Sequence, residues 1–324
     1  MRSEKVFSNE LKKLLGLLIQ VNKFSSDQFL LKLFQEINFD NFRDTKDLSE
    51  FINGTVSLKV QVTEDLFNRA HLDLEKHTQE GISLIPYGSE SYPSCLMNTA
   101  NPPAILYIKG NVDILSECPG VAIVGARDIS PAGEEITRRI TAEVCTAGYV
   151  IISGLAIGVD AAAHKAALHS KGRTIAVLAH GLETAKPKQN ARLGAEILER
   201  NGAWVSEYPL GRPALKQSFV QRNRIQVGLS AASILVEASL KSGTMTQADF
   251  ALKAARPIFA VVPHKSDNPL NLNCEGTSFL VDEGMAIPLR TKVDYEALLE
   301  IIYSSAHKIR NILPSTVQSG TLPF

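Results

Sequence analysis

Hydrophobic and polar positions alternate with two different textures along the chain. Over residues 1–81, apolar positions recur at i, i+3, i+4 and i+7 in ELKKLLGLLIQ, DQFLLKLFQEI and VTEDLFNRAHLDLEKHTQEG. That is the period of helices with one buried face. Ser26, Asp27 and Thr63 are expected to start helices and Gly81 to end one. From Ile82 the apolar runs shorten and are punctuated by Pro and Gly (ISLIPYGSESYPSCLMNTANPPAILYIKGN). Extended segments leading into a main sheet are expected there.

Residues 121–262 alternate regularly between short apolar runs and helical patterns. Strands are predicted over 121–124, 149–153, 174–179, 204–207, 232–237 and 258–262. Helices are predicted over 131–147, 160–170, 190–201, 224–229 and 244–255. This rhythm predicts an α/β fold with a doubly wound, mostly parallel sheet. The expected domains are a small helical N-terminal domain (1–81), the sheet domain (82–289), and a C-terminal helix and tail (290–324). DYEALLEIIYSSAHKI reads as one helix and LPSTVQSGTLPF as a loose end.

The candidate chemistry lies where the predicted strands end, in VAIVGARDISPAG, VIISGLAIGVDAAAH and LVEASLKSGTMTQA. Each run passes through glycine or a small polar residue into a helix. In a parallel sheet such ends share one edge, where backbone N–H groups and helix N-termini attract phosphate. Gly125 lets the backbone approach a ligand, and Arg127 projects a guanidinium over it. Ser130 and Pro131 suit the N-cap and first position of a helix. Gly154 ends the second strand. Asp160 and His164 share a helix face, either as an acid/base pair or as a helix cap with its hydrogen-bonded neighbour.

The stretch KQSFVQRNR carries Lys216, Arg222 and Arg224 around Phe219, beside Asn223. Cations that follow phosphates and a ring that stacks on bases suit single-stranded nucleic acid. The alternatives are an internal salt bridge for Arg224 and a core position for Phe219. Ser242, Gly243 and Thr244 open a further helix whose hydroxyls and free N–H groups suit an anion. The first strand end is not G-x-G-x-x-G and no acidic residue follows at the ribose-binding distance, so a dinucleotide is disfavoured and no cofactor is expected.

Composition narrows the class. Hydrophobic residues make up 44% and charged residues 21%, as in ordinary globular proteins. No apolar run approaches the roughly 20 residues needed to span a bilayer, and MRSEKVFSNELKK lacks a signal-peptide core. A cytoplasmic protein without a membrane partner is expected. The four cysteines are far apart without metal-ligand spacing, so reduced thiols and no metal are expected. Net charge is zero, yet residues 121–260 hold 17 basic against 11 acidic residues while both flanks are acidic.

Taken in order, YPSCL, NPPAILYIKG, VAIVGAR, SGLAIGVDAAAH, RTIAVLAHGLE, SEYPLG, RNRIQVGLS, VEASLKSGT and RPIFAVVP resemble the DprA/Smf family of DNA-processing proteins, within a wider Rossmann-like superfamily. The resemblance covers roughly three-fifths of the chain. It implies a homodimer that binds single-stranded DNA and hands incoming strands to a RecA-type recombinase in natural transformation. By motif position, Arg127, Lys216, Phe219, Arg222, Arg224 and Ser242 inherit DNA contacts, and Gly125, Gly154 and Gly243 the backbone role. The chain departs from the family pattern at Lys186, Val220 and His264, all expected near the pocket rim.

Alternatives are a relative serving defence against foreign DNA, a nucleotide-binding sensor and a nucleotide phosphoribohydrolase. The last uses a Glu where this chain has Gln247, and an amide cannot act as a general base. The protein is therefore expected not to be an enzyme.

Overall fold

The computed structural model describes residues 2–56, 58 and 60–312 of the chain. The predicted loose end at 313–324 lies outside the described residues. Four helices come first: α1 (Arg2–Asn22), α2 (Asp27–Glu36), α3 (Thr45–Thr55) and α4 (Glu64–Gln79). Their starts follow the side chains that satisfy free N–H groups. Ser26 accepts from Phe29 N and caps α2, Asp44 accepts from Asp47 N before α3, and Thr63 accepts from Leu66 N before α4. Gly81, at φ +70°, turns the chain out of α4, a conformation that costs glycine little.

The apolar stripes of these helices do not form a core of their own. Leu14, Leu18, Leu30, Phe34 and Phe67 share one buried cluster with Leu84, Ile105, Tyr107 and Trp204 of the sheet region. Polar ties reinforce the junction. Tyr107 Oη donates to Gln20 Oε1 at 2.6 Å, and Leu210 N donates to His77 Nε2 at 3.0 Å.

Among the described residues the sheet has nine strands. They are β1 (Ile82–Pro86), β2 (Ile105–Gly110), β3 (Gly120–Gly125), β4 (Ile151–Ser153), β5 (Thr174–Val177), β6 (Ala203–Ser206), β7 (Ser230–Val236), β8 (Ile258–Val261) and β9 (Ile287–Leu289). Their spatial order is β1-β2-β6-β5-β4-β3-β7-β8-β9. From β6 to β9 every pairing is parallel, while β1 and β2 add as antiparallel strands at one side. The other helices are α5 (Ser94–Met97), α6 (Pro131–Thr146), α7 (Val159–His169), α8 (Ala191–Glu199), α9 (Lys216–Gly228), α10 (Gly243–Lys253), α11 (Glu275–Asp282) and α12 (Asp294–Arg310).

The six predicted strands and the alternating helices are present within a few residues of their expected bounds. Four elements differ. Strand β9 and helices α5 and α11 were not anticipated, and the helix expected at 224–229 begins eight residues earlier as α9. Among the described residues no helix is long and apolar enough to cross a membrane.

The topology fixes where a ligand can enter. The chain steps from β3 through β4 and β5 to β6 on one side, then resumes at β7 on the other side of β3. The carboxyl ends of β3 and β7, Gly125 and Val236, therefore face a topological switch point, where the outgoing loops diverge and leave a crevice.

Candidate functional site

A cleft of about 410 Å³ occupies this switch point. Its lip is the loop after β3, carrying Arg127 and Asp128; one wall is α9 and the facing wall is the start of α10. Because α9 is helical, Lys216, Phe219, Arg222 with Asn223, and Gln226 form one stripe at i, i+3, i+4 spacing. Phe219, Arg222, Asn223 and Gln226 line the cleft, whereas Lys216 stands exposed at the helix start. A smaller cleft of about 270 Å³ adjoins the first and shares Arg127, Phe219 and Arg222 with it. Arg127 and Arg222 place their guanidinium carbons 5.9 and 5.7 Å from the Phe219 ring centroid. Such cations hold the ring and present it to the cleft.

The two central arginines do different work from the expected phosphate contacts. Arg222 is buried, and its guanidinium donates to the carbonyls of Gly154 and Val177, the latter at 3.1 Å, with Asp160 Oδ2 3.6 Å away. Asp160 in turn accepts from Gly154 N (3.1 Å) and Ala156 N (3.3 Å). Burial pushes the Asp160 carboxyl up and the Arg222 guanidinium down, each opposed by its partner's charge. A Cβ on Gly154 would collide with the Arg222 guanidinium, so this glycine makes room for an arginine rather than for a ligand. Arg222 thus braces the loop after β4, with only the edge of its side chain at the cleft.

Arg224 is turned away altogether. Two positions along a helix rotate a side chain by about 200°, which carries Arg224 to Glu207 beyond β6, where both Nη atoms pair with the carboxylate. Burial raises the Glu207 carboxyl against the opposing pull of Arg224. The internal salt bridge, one of the two alternatives for Arg224, is the observed arrangement. Phe219 is half-buried and faces both clefts.

His164 is not half of an acid/base pair with Asp160. Thr174 Oγ1 donates to Ile151 O at 2.8 Å, so His164 Nδ1–H donates to Thr174 Oγ1 at 2.7 Å and Nε2 is left unprotonated. Burial, then the charge of Arg222, lowers its pKa to about 3. An unfolded histidine takes a proton near pH 6.5 while the folded one does not, so stability present above pH 6.5 is lost as pH falls. Urea unfolding between pH 7 and 5 is expected to lose stability with this sign. His164→Gln should shallow the slope; His77 and His180, also lowered by burial, act with the same sign, and the raised carboxyls of Asp160 and Glu207 act against it.

The helix N-termini at the sheet edge are not equivalent. At α6, Gly133 N donates to Ser130 Oγ (2.9 Å), and Ser130 N donates to the Glu237 carboxylate (2.8 Å). Glu237 is 1% exposed and also accepts from Asn273 N at 3.0 Å, so it ties the loops after β3 and β8 together. The protein's own anion fills that N-terminus. Asp160 occupies the N–H groups of the loop before α7. Helix α10 has no side-chain cap, as α7, α8, α9 and α11 also have none, but its Ser242, Gly243 and Thr244 line the cleft, with Asn223 Nδ2 3.3 Å from Gly243 O. A helix start with free N–H groups favours an anion.

The expected pocket residues therefore divide. Arg127, Phe219, Asn223, Ser242, Gly243 and Thr244 converge on the main cleft, with Gly125 at its back. Lys216 lies at the outer end of the same helix stripe. Arg222, Gly154 and Arg224 serve the scaffold. Sequence reasoning missed Glu237, read only as the end of a strand, and Gln226 on the cleft floor, and weighed Gln247 only as an amide in place of a catalytic Glu; buried polar residues on a helix leave no periodic signal. Of the three departures, Val220 lines the main cleft and Lys186 the smaller one, whereas His264 lines separate clefts beyond β8.

Comparison with known proteins adds independent findings. Residues 83–299 match the model of the family described as DNA recombination-mediator protein A. Over 201 residues the chain is 43% identical to Protein Smf of Escherichia coli K12, which covers 62% of this chain and 52% of that protein. The chain thus spans about half the length of that curated relative. The X-ray structure of DNA processing protein A from Streptococcus pneumoniae superposes with a TM-score of 0.68 at 30% identity, covering 90% of this chain and 97% of that one. DNA processing protein A from Helicobacter pylori, described for its unique single-stranded DNA binding mode, gives a TM-score of 0.59 at 30% identity, covering 70% and 97%.

Proposed function

Because this chain belongs to the DNA recombination-mediator protein A family, we propose that it binds single-stranded DNA at the switch-point cleft and passes the strand on uncut. The observation that carries the reading is the convergence of exposed Arg127, half-buried Phe219 and the uncapped start of α10 on one cleft. A phosphate takes the N–H groups and the Ser242 hydroxyl, Arg127 and Lys216 follow the neighbouring phosphates, and a base stacks on Phe219. The carboxylates lining the cleft, Asp128 and Asp160, bring no hydrolytic set with them, since Asp160 is committed to Arg222 and the loop amides. The proposed setting is the cytoplasm, with a homodimer delivering the strand to a RecA-type recombinase.

Titrating a short oligonucleotide at two or more salt concentrations tests the proposal. Arg127→Ala is expected to weaken binding and to flatten the slope of log K against log salt by about one. Phe219→Ala should cost about 1–3 kcal/mol, with the slope retained. Equal affinity of both variants and the wild type would move the site elsewhere.

A further inference from the structure

Two side-chain amides at the bottom of the main cleft have polar atoms without a partner among the described residues. Gln226 on α9 and Gln247 on α10 are each 1% exposed, and both line the cleft. Neither Nε2 nor Oε1 of Gln226 has a hydrogen-bond partner among the described residues. Gln247 donates through Nε2 to Ser233 Oγ at 3.4 Å and leaves Oε1 unpaired. Buried polar atoms are almost always paired, and leaving one idle is costly. Three idle atoms gathered on one floor mark a place where a ligand supplies the partners.

Depth narrows the kind of ligand. Gln226 lies seven residues beyond Phe219 on α9, about 10 Å further along the helix axis. A phosphate held at the start of α10 leaves that depth unfilled, whereas a nucleoside attached to it reaches inward. We infer that the floor reads a base: the amides of Gln226 and Gln247 hydrogen-bond the edge of one unstacked nucleobase of the bound strand. This rests on the proposed single-stranded DNA reading and adds that the grip is not blind to bases. A primary amide presents an acceptor beside donors, which matches a base edge carrying the same pair in reverse, as adenine does through N6 and N7. Stacking on Phe219 accepts any base; the floor does not.

The test separates edge reading from stacking with strands that stack but lack the edge. Affinities of the full chain are measured for oligothymidylate and oligoadenylate. Each is compared with the same length carrying N3-methylthymine or N6,N6-dimethyladenine. Wild type is expected to lose about tenfold on methylation of at least one of the two bases. Gln226→Leu and Gln247→Leu, each checked by thermal unfolding, are expected to erase that difference. Equal binding of methylated and unmethylated strands by the wild type overturns the inference while leaving the DNA reading intact. So does a methylation effect that persists in both variants. Failure of every strand to bind at low salt instead sinks the reading on which the inference rests.

Discussion

Arg222→Met is expected to destabilise the fold by about 3–5 kcal/mol, because it leaves a buried carboxylate without its counter-charge. The side chain is one of the most exposed in appearance on a sequence line, between a glutamine and an asparagine in a basic stretch. In the fold its donors meet the carbonyls of Gly154 and Val177, and its charge faces Asp160. Removing it strips three acceptors at once. Urea unfolding measures the loss. The double variant Arg222→Met, Asp160→Asn should recover part of it, with a coupling of about 0.5–3 kcal/mol, since the uncompensated charge is gone. Arg127→Ala, at an exposed lip position, should stay within about 0.5 kcal/mol of wild type. The contrast between the two arginines is the point. If Arg222→Met unfolds like the wild type and loses only DNA affinity, Arg222 is a phosphate ligand and the brace is wrong.

The layout of the sheet was readable because its parallel strands are buried on both faces and therefore appear as unbroken apolar runs. VAIVG and SILV sit between polar stretches and mark β3 and β7 without ambiguity. Helix α9 was half-hidden for the opposite reason. Its buried positions include Ser218, Arg222, Asn223 and Gln226, so the buried face carries the polar residues that a periodicity search assigns to solvent. Once the helix is known to start at Lys216, its rotation sends Arg224 to Glu207 and keeps Phe219 at the cleft. The same blindness applies to Glu237. In sequence it is the acidic residue closing an apolar strand; in space it occupies the α6 N-terminus and ties it to the loop after β8. Several residues singled out by the motifs line one cleft, and three-dimensional pairing decided which of its cations face outward.

Two glycines of the cleft should respond in opposite ways to the same added methyl group. A Cβ on Gly125 would run into the backbone carbonyl of Val236 and meet Val159 Cγ2 at 2.6 Å. The obstacle is the neighbouring strand itself, paired in register with β3 at this residue, so relief requires the central strands to part. Overpacking usually costs about 1–3 kcal/mol, and backbone against backbone at the sheet centre places Gly125→Ala at or above the upper end. Thermal unfolding should show it as a large fall in midpoint. At Gly243 an added Cβ meets nothing within 4 Å and the residue opens α10 at a helical, not left-handed, position. Gly243→Ala should therefore be neutral or stabilise by about 0.4–1 kcal/mol, through the lower entropy of the unfolded chain. The space it fills belongs to the cleft, directly at the N–H groups proposed to hold phosphate. Weaker oligonucleotide binding in a protein of undiminished stability is the expected result. Unchanged binding in that variant would mean that the anion does not sit at the start of α10.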